Sequence, residues 1–453
     1  LKYIGPFLRI NSMTPENISN QLLYFSRESL KHIALNSRCG ITTSLKDLKI
    51  KSTPNTDINI FKENSPLLCV YKKAHDKIIK GKYGPYWDDS SFKKELTVSG
   101  NVYMTLSLLK LADYYYQFEK LDKNLYSLGV LYSHMAKAQL DFYLKYLRND
   151  DGMFVNKKYT GSNGSNLAFE IKDDKYKVSD QCMLMAAYYK YSIDPNAHDA
   201  EQFKSFSKDI LNMFTTYKDE LYELPSEEMY KFIMGLNIYY EASRDTNAEL
   251  LLIDLMDWAI DDFYTQENSH SNDISEYSLL LINIDMFNKN MNSEFFLKEK
   301  ELLLEKLSLS YDDNIGIFIK KQDKKEISYY GEDFVSYIAA IYSFKDDLKI
   351  SNKIVNVYRK GLISSGIIGS WPDPPALNNL ERYRDFTQKS EDLISEDNFK
   401  QNSIPTPEAS SIAPIFYKSV KFKTKKYQFT DIKNSFNADN SIYPIFLCLF
   451  CLN

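Results

Sequence analysis

Along most of the chain, apolar residues recur at i, i+3, i+4 and i+7, the spacing that gathers them on one face of a helix turning every 3.6 residues. Cys182, Met185, Ala186 and Tyr189 follow it, and Phe334, Tyr337, Ile338 and Ile341 repeat it. The pattern predicts helices over about 16–36, 66–80, 97–118, 124–148, 177–192, 199–217, 226–242, 247–264, 275–289, 293–310, 331–344, 349–363 and 407–419. The helix over 66–80 rests on Ser65 as a cap, Pro66 at the first helical position, and Leu67, Val70, Tyr71, Ala74 and Ile78 at helical spacing.

The breaks between these segments are of two kinds, and the kinds alternate. Those at 119–123, 193–198, 243–246 and 345–348 are short and polar, as between antiparallel neighbours. Those at 149–154, 217–222, 311–318 and 366–371 are longer and combine acidic or glycine turns with a few extended apolar residues. The helices beginning near 97, 177, 226, 275, 331 and 407 follow a long break, and those near 66, 124, 199, 247, 293 and 349 precede one. Six hairpins in strict alternation predict a closed double ring, one set of helices inside the other. An open helical solenoid competes, but repeat intervals of roughly 45–80 residues are uneven for that architecture.

A closed ring of this kind would occupy 66–420. Residues 1–65 read as an N-terminal extension holding one helix and extended segments, and 421–453 as a C-terminal extension that packs on the ring. Segments 3–10, 41–60 and 421–430 alternate enough to be short strands. The apolar run over 442–452 has to be buried, because left exposed it would aggregate.

Twelve helices, with a turn of the Asp150-Asp151-Gly152-Met153-Phe154 type before an inner helix, resemble the six-hairpin (α/α)6 toroid proteins. That group includes glycoside hydrolases, unsaturated-glucuronyl hydrolases, sugar epimerases and some polysaccharide lyases. The resemblance is architectural and spans about 66–420. It implies a mostly α protein whose site lies at the end of the ring where the long breaks and the inner-helix N-termini converge.

Composition agrees with a helical chain. Among 453 residues there are 15 glycines and 14 prolines, too few turn-formers for a β-sandwich, a propeller or a collagen-like chain. Lys and Arg number 56 against 61 Asp and Glu, with the signs interspersed, so no basic surface favours nucleic acid or an anionic membrane. The longest apolar run, 445–452, is too short to span a bilayer. Five cysteines, mostly within apolar segments, fit buried free thiols in a reducing compartment, and the expected location is cytoplasmic unless a leader has been removed. Cys448 and Cys451 have C-x-x-C spacing but no second half-site, so neither a metal nor another cofactor is expected. Phosphate-loop, dinucleotide, nucleophile-elbow and zinc-protease motifs do not occur. The heavy use of Lys, Asn, Ile and Tyr resembles that of proteins from low-GC bacteria.

Each inner helix begins at or beside a carboxylate: Asp180, Glu227, Glu228, Glu276, Glu332, Asp333 and Glu408. Singly, an acid in a first turn complements the helix dipole anywhere. Together, in a ring, they would rim one concave face. Glycoside hydrolysis needs two carboxyls, one protonated to release the leaving oxygen and one ionised to activate water or attack carbon. The candidate catalytic residues are Asp88, which sits in Tyr86-Trp87-Asp88, with Asp180, Glu276 or Asp333.

Tyr86, Trp87 and Trp371 fall in long breaks, where a ring could stack on a sugar face. Arg382 and Arg384, in the longest break, could grip an acidic group, and Glu408 would complete the rim. The five histidines begin none of the inner helices, which counts against the paired-histidine chemistry of toroid epimerases. The expected function is a glycoside hydrolase acting on an oligosaccharide or other small polar ligand. The competing expectation is a non-catalytic toroid scaffold or binding protein. A hydrolase should show a deep groove with an aromatic wall, a scaffold a plugged or shallow mouth.

Overall fold

The computed structural model describes residues 2–3, 13–51, 54–74, 78–81, 84–88, 90, 92–163, 166–173, 175–267, 274–320, 324–369, 371–372, 405–406, 415–433 and 435–452. Its helices are α1 (Pro15–Leu35), α2 (Val98–Tyr116), α3 (Lys123–Tyr146), α4 (Val178–Ser192), α5 (Ala200–Thr216), the single turn α6 (Lys218–Leu221), α7 (Ser226–Ser243), α8 (Thr246–Glu267), α9 (Ile274–Met291), α10 (Leu297–Leu309), α11 (Gly331–Ile341), α12 (Leu348–Asn356), which runs on as a π-helical stretch Val357–Ile363, and α13 (Ala438–Cys451). None of the described helices is long and apolar enough to cross a membrane.

Helices α2, α4, α7, α9, α11 and α13 pack each on the next, and α13 packs back on α2, so the inner ring closes. Outside them, α3, α5, α8 and α10 each pack on the inner helix they follow, and α12 with its π-helical continuation packs on α11. The sixth hairpin joins the two ends of the chain. There α1 packs on α13, and Ser19 Oγ donates to the Leu452 carbonyl at 2.6 Å.

Ring closure corrects three expectations. Residues 66–80 are not a helix: Leu67–Val70 pairs with Gly40–Thr42, Lys73–Ala74 with Phe436–Asn437, and Ile78–Gly81 with Gly84–Trp87. A short apolar run fits either periodicity, and here the strand Gly40–Thr42 supplies the hydrogen bonds that decide it. The helix expected over 407–419 lies mostly outside the described residues, and from Ser419 the chain is a strand, Ser419–Lys423, between Glu326–Tyr329 and Gln428–Lys433. The ring positions assigned to these two segments belong to α1 and α13. The boundaries at 66 and 420 therefore do not delimit the ring, which draws one helix from each supposed extension.

Inner helices are wrapped by neighbours on nearly every side. From Ser179 to Tyr189 every residue of α4 is buried, whereas α5 buries only Phe203, Ser207, Ile210, Leu211 and Phe214. Buried amides tie the inner helices together: Asn283 Nδ2 donates to the Tyr230 carbonyl at 2.9 Å, and Asn290 Nδ2 to Asn237 Oδ1 at 3.0 Å. Such satisfied polar links fix the helices' relative rotation, and so fix which first-turn side chains face the ring axis.

Candidate functional site

The long breaks pin the starts of the inner helices. In the Asp150-Asp151-Gly152 turn, Gly152 takes φ +85°, where glycine has no steric penalty. This lets Phe154 return to α4, where it exchanges hydrogen bonds with the Gln181 amide at 3.0 Å in each direction. Glu228, in the first turn of α7, accepts from the Val178 amide at 2.8 Å and caps α4 from its neighbour.

At this end of the ring a cavity of about 90 Å³ is lined by Ser99 and Tyr103 of α2, Lys177, Ser179 and Asp180 at the start of α4, Lys231 of α7, Glu332 of α11, and Asp439 and Tyr443 of α13. Five of the six inner helices contribute. Among the described residues this is a narrow polar cavity with two tyrosines in its wall, smaller than the roughly 300–1,000 Å³ of drug-sized ligand sites and unlike the deep groove expected of a hydrolase.

Asp180 is 4% exposed and accepts a hydrogen bond from Ser99 Oγ at 2.9 Å. Burial pushes its pKa up to about 6, with Asp439 and Glu228 adding to the rise and Lys177 and the Ser99 hydroxyl opposing it. The half-buried Glu332 is pushed further, to about 7, by burial and then by Asp333, while Lys231 and Lys320 pull it down. Asp439 is held by Thr97 Oγ1 at 2.6 Å. Gly100 lies directly beneath, where a Cβ would come 2.6 Å from Asp439 Oδ1. Lys231 pairs with Glu227 at 2.5 Å and lies 5.5 Å from the centre of the Tyr443 ring. The charge of Lys231 keeps the Glu227 carboxyl below its usual range. Burial, then Tyr443 and the carboxylates Asp180, Asp439 and Glu332, raise the Tyr103 hydroxyl well above the ordinary tyrosine value, which puts that hydroxyl within electrostatic reach of all three acids.

Of the four candidate catalytic residues, Asp180 lines the cavity. Asp333 is buried against Lys320, whose Nζ lies 2.7 Å from both carboxylate oxygens, and it accepts from the Tyr330 amide at 2.8 Å. It is an ion-paired helix cap, and its neighbour Glu332 takes the cavity position. Glu276, half-buried in the first turn of α9, acts electrostatically on Tyr230 and is not among the lining residues. Asp88 is buried in the turn after the strand Gly84–Trp87, where it accepts from the Ser90 amide at 3.1 Å and from Ser90 Oγ at 2.6 Å. It too lies outside the cavity lining.

Tyr86 and Trp87 have their backbone in that strand, paired with Ile79 and Ile78. Their side chains, and all of Arg382, Arg384 and Glu408, lie outside the described residues. Trp371 is 2% exposed and packs on Phe25 at 4.9 Å and Tyr358 at 6.4 Å between ring centres. A ring enclosed in this way is core and offers no face to a sugar. Of the histidines, His32, His134 and His198 do not line the cavity, and His75 and His270 lie outside the described residues. No group of three or more metal-type side chains is found among the described residues.

Sequence reasoning missed Ser99, Tyr103, Lys177, Ser179, Lys231, Asp439 and Tyr443, and took Asp333 in place of Glu332. Asp439 and Tyr443 are four apart, hence on one helical face, but that signal depends on recognising α13 as a helix.

No family model matches the chain, and no curated protein matches it. Among solved structures, one described as D-mannose isomerase superposes with a TM-score of 0.56 at 9% identity, covering 98% of this chain and 99% of that one. The structure of cellobiose 2-epimerase from Bacillus thermoamylovorans B4167 gives a TM-score of 0.52 at 11% identity, covering 95% and 98%. The chain has the (α/α)6 toroid fold. At these identities the likeness is one of fold, and the toroid's chemistry has to be argued from its own residues.

Proposed function

We propose that this toroid is a carbohydrate-active enzyme that moves protons with a carboxyl pair, Asp180 and Glu332, and that its reaction is hydrolysis of a glycosidic bond in a small substrate, the narrow cavity having no groove for a long chain. The observation that carries this reading is that two acids from different inner helices line one cavity and both titrate near neutrality. Burial raises both carboxyls and Glu332 the further, so Glu332 is the one that keeps its proton when Asp180 has lost its own. Glu332 then donates to the leaving glycosidic oxygen as its bond to the anomeric carbon breaks. Asp180 takes a proton from the water that adds to that carbon. Tyr103 and Tyr443 offer apolar ring surface to a sugar.

A second reading, sugar isomerisation or epimerisation, uses the same pair, with one carboxylate removing the proton beside a carbonyl and the other acid protonating oxygen or carbon. Its support is that both structures reported above bear isomerase or epimerase names. The test is to incubate the protein with cellobiose, D-mannose and a panel of neutral oligosaccharides in D2O and follow products by NMR. New reducing ends without deuterium uptake at C2 mean hydrolysis, and deuterium at C2 with a ketose or epimer means the second reading. Asp180→Asn and Glu332→Gln should each lower turnover at least a hundredfold while leaving binding in place. Wild type that neither binds nor turns over any sugar would sink both readings in favour of a scaffold.

A further inference from the structure

The long break after α10 and the hairpin of Ser419–Lys423 with Gln428–Lys433 line a second cleft, of about 430 Å³. That lies within the size range of ligand sites, whereas the mouth cavity holds about 90 Å³, and the two have no lining residue in common. In its wall Phe422 is 1% exposed and packs on Phe429 at 5.0 Å and Tyr329 at 6.4 Å between ring centres. Tyr329 stands two residues before α11, so the cleft sits at the end of the ring where the inner helices begin.

Over this fixed wall the cleft carries two apolar side chains open to solvent, Leu309 at 75% and Tyr427 at 68% exposure. Tyr427 ends the four-residue turn of the hairpin, whose strands close at Lys423 with Gln428. Its polar groups come from the break. Asp312 is committed to the turn, accepting from the Asn314 and Ile315 amides at 2.9 and 3.1 Å. The exposed side chains of Asp313 and Asn314 enter no hydrogen bond or ion pair among the described residues.

An open aromatic ring beside a carboxylate and an amide matches a sugar, whose C–H face stacks on the ring while neighbouring hydroxyls donate to the carboxylate and bond to the amide. Charge narrows the class further. No lysine or arginine lines the cleft, so an acidic sugar would meet Asp312 and Asp313 with no lining cation to offset them.

We infer that this cleft is a second binding site, holding a short neutral oligosaccharide with one sugar face on Tyr427 and its hydroxyls on Asp313 and Asn314. The site is separate from the proposed reaction and does not depend on it.

The test titrates the full chain with cellobiose, maltotriose and the acidic disaccharide digalacturonate, following the backbone amide signal of Asn314 by NMR. Wild type is compared with Tyr427→Gly, Asp313→Ala and Glu332→Gln. Tyr427 has φ +49°, where glycine carries no steric penalty, so Tyr427→Gly should keep or raise the Tm. It should bind the neutral probe about tenfold more weakly, Asp313→Ala should also bind it more weakly, and Glu332→Gln, altered only at the mouth, should bind as wild type does. A wild-type Asn314 signal that no neutral probe moves would overturn the inference, as would wild-type affinity in both cleft variants. Tighter binding of digalacturonate than of either neutral probe would overturn the assigned class. Turnover of a sugar without binding at the cleft would leave the proposed function and remove this site; binding at the cleft without turnover would do the reverse.

Discussion

Ser99 Oγ donates to Asp180 Oδ2 across 2.9 Å, joining the first turn of α2 to the first turn of α4. The bond favours the ionised carboxylate against a desolvation that favours the neutral acid, and it is one of the forces holding Asp180 down to about 6. Removing the hydroxyl with Ser99→Ala should raise the Asp180 pKa further and move the acid limb of any pH–rate profile upward. NMR titration of the Asp180 side-chain carbon reads the same shift without substrate, and an unmoved midpoint would show that the hydroxyl does not tune the acid.

Asp180 also makes stability depend on pH. Its folded pKa, about 6, lies above the ordinary 3.8, so between those values the folded state binds more protons than the unfolded chain. The stabilising contribution is complete below about pH 4 and is lost as pH rises through 6. The rise from 3.8 to about 6 corresponds to about 3 kcal/mol. Asp180→Asn should therefore be more stable than wild type at pH 8, by up to that amount, and gain little at pH 4. Urea unfolding at the two pH values checks the sign.

Gly100 leaves room for the Thr97 to Asp439 hydrogen bond that ties α2 to α13. In Gly100→Ala the new methyl would lie 2.6 Å from Asp439 Oδ1 and 3.0 Å from Thr97 Oγ1, so the Asp439 carboxylate has to swing off the Thr97 hydroxyl. The expected loss is about 1–3 kcal/mol in chemical denaturation, with a weakened ligand response because Asp439 moves.

Lys320, 18% exposed in its side chain, neutralises the buried Asp333 and also pulls down the pKa of Glu332. Lys320→Met strands a buried carboxylate and should destabilise the protein by about 3 kcal/mol. It should also push Glu332 above about 7, extending activity toward higher pH. A stability loss with an unchanged basic limb would confine Lys320 to a structural role.

How much was legible follows from how each element is buried. The outer helix α5 shows its period plainly, since Phe203, Ile210, Leu211 and Phe214 are buried on one side and solvent keeps the other polar. The sixth inner helix hid itself. From Ser441 to Phe450 every residue of α13 is buried, so no polar face marks the period, and Pro444 inside it reads as a break. Asp333 and Glu332 were both visible as first-turn acids, but neighbours on a helix point about 100° apart. Only the packing of α11 between α9 and α13 sends Glu332 to the cavity and Asp333 to Lys320.

The sequence by itself determined most of the helices and five of the six hairpins, because periodicity and turn chemistry act over a few residues. The tertiary structure alone decided that the first and last helices close the ring, and that Asp180, Glu332, Asp439 and Tyr443 share one cavity. Those facts depend on contacts such as Thr97 with Asp439 and Ser19 with Leu452, between residues hundreds of positions apart, where no local pattern records the partner.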